Sequence, residues 1–328
     1  MSSLIEEGRM RFTRRAALIA LAMPALARAQ TFARPIRVIV PFAAGGVADL
    51  TARAVGQRIA PLLGQPVVID NRPGAGGIVA GQQLMGAPAD GHTLLVASNG
   101  TAISRGLFRN LPFDPLRDFA PIVSMGSFPI AVIVAPNSPI RDIADLVARM
   151  KAAPGRLNIG SISRGSTQNL SAELFKIRTA TQAETVVFPA TPQLVTAVLR
   201  GDVDAAFEIT GPIQGQITAG AIRVLAVTSA RRAAILPNVP TLMEQGVPDY
   251  DVASWNALVT RAGSPPETIA AINRAVNEAL GTAELREALT QAGVEPIGGT
   301  AEAMGRLLAA DTARWAEVIE KAGIERQG

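Results

Sequence analysis

Cysteine is absent from the 328 residues. That excludes disulfides, thiolate catalysis and zinc–thiolate sites, and it is compatible with either redox compartment. Histidine occurs once, at His92, which excludes multi-histidine metal sites and leaves a single candidate base for any serine–histidine arrangement. No strand–serine elbow of the form G-x-S-x-G occurs, and no pair of acids has a spacing that signals sugar chemistry. Aromatics are scarce: Tyr250 is the only tyrosine, and Trp255 and Trp315 are the only tryptophans. A basic excess is also missing from the body of the chain. Residues 1–29 hold five arginines against two glutamates, so the remainder keeps 26 of the 31 basic and 25 of the 27 acidic residues. A near-neutral body carries no electrostatic footprint for nucleic acid.

What is present begins with a leader. Thr13-Arg14-Arg15-Ala16-Ala17-Leu18 is followed by an apolar run to Leu26 and then Ala27-Arg28-Ala29. A charged start, an apolar middle and an A-x-A end read as a signal peptide spanning residues 1–29, cleaved after Ala29. The paired arginines point to the twin-arginine route. The apolar run is too short to anchor a helix in a bilayer, and no later run is longer, so the mature chain is expected outside the cytoplasm and not inserted in the membrane.

The rest alternates short β-rich runs with runs of helical period. Strands are expected at Ile36–Val40, Val67–Ile69, Leu94–Ala97, Ile130–Ala135, Leu157–Gly160, Thr185–Phe188, Val203–Ile209 and Arg223–Thr228. Helices are expected at Val47–Leu63, around Ile143–Met150, at Thr167–Lys176, around Leu194–Leu199 and near Ile213–Thr218. The last quarter is helical, opened by Ser264-Pro265-Pro266-Glu267, which reads as a capping box. This order implies an α/β fold with mostly parallel sheets and helices on both faces. Ligands in such sheets lie beyond the carboxyl ends of strands, beside helix starts.

Four loops of that kind stand out. Phe42-Ala43-Ala44-Gly45-Gly46 precedes a helix with Asp49 in its first turn. It reads as an anion cradle of free N–H groups or as a plain turn. Asn71-Arg72-Pro73-Gly74-Ala75-Gly76-Gly77 lacks the spacing of a dinucleotide or phosphate loop, and Arg72 reads as structural. Ser161 to Asn169 brings hydroxyls and Arg164 to a helix start, where Arg164 can grip a carboxylate in a bidentate pair and Ser166 or Thr167 can be a simple cap. Ser98 and Glu208 close two further strands, Glu208 facing either a cleft or solvent. His92 falls in a turn before a strand, away from these loops. Helix starts without a nucleophile or base point to binding without turnover.

At these loops the chain resembles the Bug-type solute receptors of tripartite tricarboxylate transporters, a subgroup of the periplasmic binding proteins. The resemblance is carried by Pro35-Ile36-Arg37-Val38-Ile39-Val40-Pro41-Phe42-Ala43-Ala44-Gly45-Gly46, by Asp70-Asn71-Arg72-Pro73-Gly74-Ala75-Gly76-Gly77 and by Pro112 to Pro121. It continues through Ser171-Ala172-Glu173-Leu174-Phe175-Lys176, Leu225 to Arg232 and Val239-Pro240-Thr241. It runs from about Pro35 to Ile324. It implies a two-lobed, Venus-flytrap fold of type II character. Lobe 1 would be residues 30–129 plus 254–328 and lobe 2 residues 130–253, with crossovers near 123–132 and 224–258. It implies a small organic acid as ligand, integral-membrane permease subunits as partners, and a monomer without cofactor, metal or catalytic residue. Carried over residue by residue, the ligand contacts would be Phe42, Ala43, Gly45, Gly46 and Asp49 in the first lobe and Ser161, Arg164, Gly165, Ser166 and Thr167 in the second, with Ser98 and Glu208 lining the pocket. Asn169 stands where relatives usually carry histidine, and Pro189-Ala190-Thr191-Pro192 replaces a common Pro-Tyr-Lys-Gly loop, so Asn169 and Ala190 bear on specificity. A sensing module that signals to a membrane protein and an extracytoplasmic hydrolase are the rival functions.

Overall fold

Buried residues recur at Ala48, Thr51, Ala52, Val55 and Ile59, the i, i+3, i+4, i+7 rhythm that buries one face of a helix. Short β-branched runs such as IRVIV bury both faces as interior strands do. A computed structural model describes residues 32–328, so the signal peptide expected over residues 1–29 lies outside the described residues.

In chain order the elements are β1 (Ile36–Val40), α1 (Val47–Leu63), β2 (Val67–Asn71), α2 (Ile78–Met85), β3 (Thr93–Ser98), α3 (Asn99–Leu107) and β4 (Phe119–Val134). Then come α4 (Ile143–Ala152), β5 (Asn158–Ile162), α5 (Thr167–Thr179), β6 (Glu184–Phe188), α6 (Thr191–Arg200), β7 (Ala205–Ile209), α7 (Thr210–Thr218) and β8 (Arg223–Val227). The chain closes with β9 (Ala253–Arg261), α8 (Pro266–Leu280), α9 (Ala283–Gln291), β10 (Glu295–Gly298) and α10 (Ala301–Lys321).

The strands form one path, β2-β1-β3-β9-β4-β7-β5-β6, with β8 and β10 also paired to β4. The parallel pairing expected of strand–helix alternation is found at both ends, in β2-β1-β3 and in β7-β5-β6. Between them, β9 and β4 run antiparallel to their neighbours. β4 changes partner along its length: Phe119 to Pro129 pair with β9, and Ile130 to Ile133 pair with β7.

Three readings of local sequence are corrected. The last quarter is not wholly helical, since the strands β9 and β10 fall within it on either side of α8 and α9. The strand expected at Ile130–Ala135 is only the second half of β4. Its first half contains Pro121, Gly126 and Pro129, which weaken a strand signal, and the register slips between Pro121 and Val123 and between Ser124 and Gly126. The capping box at Ser264 does not form. Pro265 occupies the cap position of α8 without a side-chain bond, and Ser264 Oγ donates instead to the Arg261 carbonyl, 2.8 Å away. Two prolines fix the entering backbone and displace the serine from capping geometry.

Candidate functional site

Five helices begin around one cavity of about 690 Å³. It is lined by Gly46, Val47 and Ala48 at the start of α1, Gly77 at α2, and Ser98, Gly100 and Thr101 at α3. It is also lined by Ser166, Thr167 and Gln168 at α5 and by Ile209 at α7. The first N–H groups of a helix lack intrahelical partners and carry its positive dipole end. No side chain caps α1 or α7. Among the described residues, Arg164 is the only charged one lining the cavity. It is exposed and has no hydrogen-bond or ion-pair partner among the described residues.

The two glycine loops are held by one device. The Gly45 N–H donates to Asp49 Oδ2 at 2.9 Å, and the Gly165 N–H donates to Asn169 Oδ1 at 2.9 Å. Both glycines have left-handed φ, 83° and 77°, a region costly for residues with a Cβ. Gly165 also packs so closely on Leu107 that an added Cβ would lie 2.6 Å from its Cδ2.

Around Asp49 the network is ionic. Arg53 Nε donates to it at 3.0 Å and Asn71 Nδ2 at 2.9 Å, and Asn71 also reaches the Phe42 carbonyl. Burial raises the Asp49 pKa, but the bonds from Arg53, Gly45 and Asn71 outweigh it and hold the carboxyl below its ordinary range. Around Asn169 the network is neutral. Its amide donates to Ser161 Oγ at 3.2 Å, its backbone N–H donates to Ser166 Oγ, and Ser166 Oγ donates to the Ile162 carbonyl.

Of the residues carried over from the resemblance, Phe42, Gly46, Ser98, Arg164, Gly165, Ser166 and Thr167 line the cavity, and Ala43, Gly45, Asp49, Ser161, Asn169, Ala190 and Glu208 do not. The reasons are local. Asp49, Ser161 and Asn169 are buried and spend their polar atoms on the loops. Gly45 donates its N–H to Asp49, Ala43 faces solvent, and Ala190 is the cap residue of α6.

Glu208 faces neither cleft nor solvent. It is fully buried, accepting from Gln168 Nε2 at 2.8 Å, Thr191 Oγ1 at 3.0 Å and the Ile209 N–H at 2.7 Å. Burial pushes its pKa up despite those three donors, since none of them is a cation. Two of its donors, Gln168 and Ile209, line the cavity. Arg72 pairs with Asp70 at 2.8 Å, and His92 lies edge-on to Phe32. Neither lines the cavity.

The chain matches the model of the tripartite tricarboxylate transporter family receptor (TctC) over residues 51–324. The chain belongs to this receptor family. The receptor is 33% identical over 293 residues to Protein BugT of Bordetella pertussis, covering 89% of this chain and 90% of that one. Among solved structures, Rpa4515 of R. palustris with adipate is 33% identical with a TM-score of 0.77, covering 90% of this chain and 99% of that chain. MatC of Rhodopseudomonas palustris with bound malate is 28% identical with a TM-score of 0.73, covering 88% and 99%. The fold is the mixed α/β fold of the periplasmic binding proteins of this family, BugD among them.

The receptor's site also contains parts that sequence reasoning passed over. Ser254 and Asn256 of β9 line the cavity. Their placement depends on a buried anchor. Trp255 donates its N–H to Asn99 Oδ1 at 2.8 Å and its Nε1 to Asp311 Oδ2 at 2.7 Å. Asn99 Nδ2 approaches the same Asp311 oxygen at 3.3 Å. Burial raises the Asp311 pKa against the pull of Trp255 and Arg314. No local pattern marks these residues: Asn99 and Asp311 are 212 positions apart.

Proposed function

We propose that the chain is an extracytoplasmic receptor that captures a small carboxylate-bearing organic solute for a tripartite tricarboxylate-type transporter. The observation that carries this is the pairing of Arg164, unpartnered among the described residues, with uncapped helix starts on a cavity to which those residues bring no other charge. Positive dipole ends and one guanidinium make the site complementary to a carboxylate. The volume falls within the usual range for small-molecule sites.

On this reading residues 1–29 direct export and are removed after Ala29, and the mature chain works in the periplasm as a monomer that docks on integral-membrane permease subunits. No helix among the described residues is long and apolar enough to cross a membrane. Two lobes, 30–129 with 254–328 and 130–253, close on the solute. The partner change of β4 between Pro129 and Ile130 supports that division. Binding proceeds without turnover, since Arg164 and the helix starts hold an anion and supply neither nucleophile nor base.

The relatives solved with adipate and malate make those two acids the first probes. Mass spectrometry of solute released from freshly purified protein, followed by a thermal-shift screen of organic acids, tests the reading. A bound acid should raise the melting temperature with ligand excess. If no acid in the screen shifts it and only neutral solutes do, the carboxylate reading fails.

A further inference from the structure

Phenylalanine is spread unevenly over the molecule. Of the ten in the chain, five line the cavity: Phe42, Phe108, Phe113, Phe119 and Phe128. The lining also continues behind the helix starts. On α3 it takes in Gly100, Ser104, Leu107 and Phe108, which share one face of the helix. From Gly100 to Phe108 that face runs about 12 Å and changes from polar to apolar. On β3 the lining reaches Leu95, three residues before Ser98 and about 10 Å back along the strand.

Leu95, Ile103, Leu107, Phe113 and Phe119 all line the cavity and all belong to one buried apolar cluster. The rings of Phe113 and Phe119 lie 5.0 Å apart. The backbones of Leu95 and Phe119 sit in the ladder with β9, so this end of the cavity is walled by hydrocarbon. Nearby hydroxyl and amide donors are already engaged: Ser104 Oγ donates to the Thr101 carbonyl, Ser166 Oγ to the Ile162 carbonyl and Gln168 Nε2 to Glu208. Leu107 joins the apolar end to the cation, because Gly165, the neighbour of Arg164, packs directly on it. A carboxylate placed in the apolar end would be stripped of water and meet no cation. A hydrocarbon chain placed there gains from every methylene buried.

We propose that the solute is an apolar monocarboxylate. Arg164 and the start of α5 hold its single carboxylate, and its hydrocarbon body lies along α3 among Leu95, Ile103, Phe113 and Phe119. This inference deepens the carboxylate-receptor reading and rests on it.

Calorimetry on the purified protein tests it by comparing hexanoate with adipate, which has the same carbon count and a second carboxylate. Hexanoate should bind about tenfold tighter or more. Along the linear monocarboxylates from propanoate to hexanoate, affinity should rise about three- to fourfold for each methylene added. Phe108→Ala, which truncates a half-buried side chain in the lining, should weaken hexanoate and leave propanoate unchanged. Adipate binding as tightly as hexanoate, a monocarboxylate affinity that does not change with chain length, or equal losses of hexanoate and propanoate in Phe108→Ala would overturn the inference and leave the carboxylate reading standing. If Phe108→Ala does not fold, the two wild-type comparisons decide the matter alone. Failure of the wild type to bind any acid sinks the carboxylate reading itself, and this inference with it.

Discussion

The starts of α1 and α5 are built alike and charged differently. In each, a left-handed glycine gives its N–H to the side chain four residues on, Asp49 in one and Asn169 in the other. In the first the acceptor is a carboxylate neutralised by Arg53, so the loop is tied down by an ion pair at 3.0 Å and brings no charged side chain to the cavity. In the second the acceptor is a neutral amide, so no cation is consumed by the scaffold and Arg164 stays unpaired beside it. The lesson is that one loop keeps its charge inside the scaffold, whereas the other keeps its scaffold neutral and its charge for the ligand.

The sharpest way to break this comparison is to remove the acid. Asp49→Ala leaves Gly45, Arg53 and Asn71 without their acceptor and should cost about 2–4 kcal/mol of stability in denaturant unfolding. Asn169→Ala strips the neutral network of Gly165 and Ser161 and should cost less, about 1–2 kcal/mol. Equal losses would mean that the ionic character of the first loop adds nothing. Arg164→Ala should leave unfolding unchanged and weaken acid binding by about tenfold in calorimetry. A variant that melts lower but binds normally would make Arg164 a structural residue. Asn169→Asp sharpens the contrast further. It puts an uncompensated carboxylate beside the second helix start and should weaken acids while sparing neutral solutes.

The smallest effects are in pH. Asp49 has a lowered pKa, so its contribution is present above the ordinary aspartate value of 3.8 and is lost as pH falls through the lower folded value. Glu208 has a raised pKa, so its contribution is fully present below the ordinary glutamate value of 4.5 and is lost as pH rises through the higher folded value. Melting temperature against pH should therefore lose an acid-side decline in Asp49→Asn and an alkaline-side decline in Glu208→Gln. The same decline surviving in its variant assigns it to another group.

Much of this site was legible. Val47–Leu63 carries its helix in its own periodicity, and the glycines at 45 and 165 announce backbone turns at helix starts because few other residues tolerate positive φ there. The shared spacing from each glycine to an Asp or Asn four residues on was a further local signal that sequence reasoning left unused. Ala43, Asp49, Ser161 and Asn169 are as near in sequence to the cavity as Gly46 and Arg164, yet they do not line it. Which side of a loop faces a ligand depends on side-chain partners such as Asn71, which arrive from another strand.

By itself the sequence determined the α/β alternation, the glycine-bordered helix starts and the family, because each is written in residues close together along the chain. Only the tertiary structure decided that five helix starts share one cavity, that Glu208 is buried among neutral donors, and that Asn256 comes to line that cavity. Those facts depend on the strand order that sets β9 between β3 and β4, and on a Trp255–Asp311 contact from the distant α10. Pairing of that kind is a property of the folded ladder, and no local periodicity encodes it.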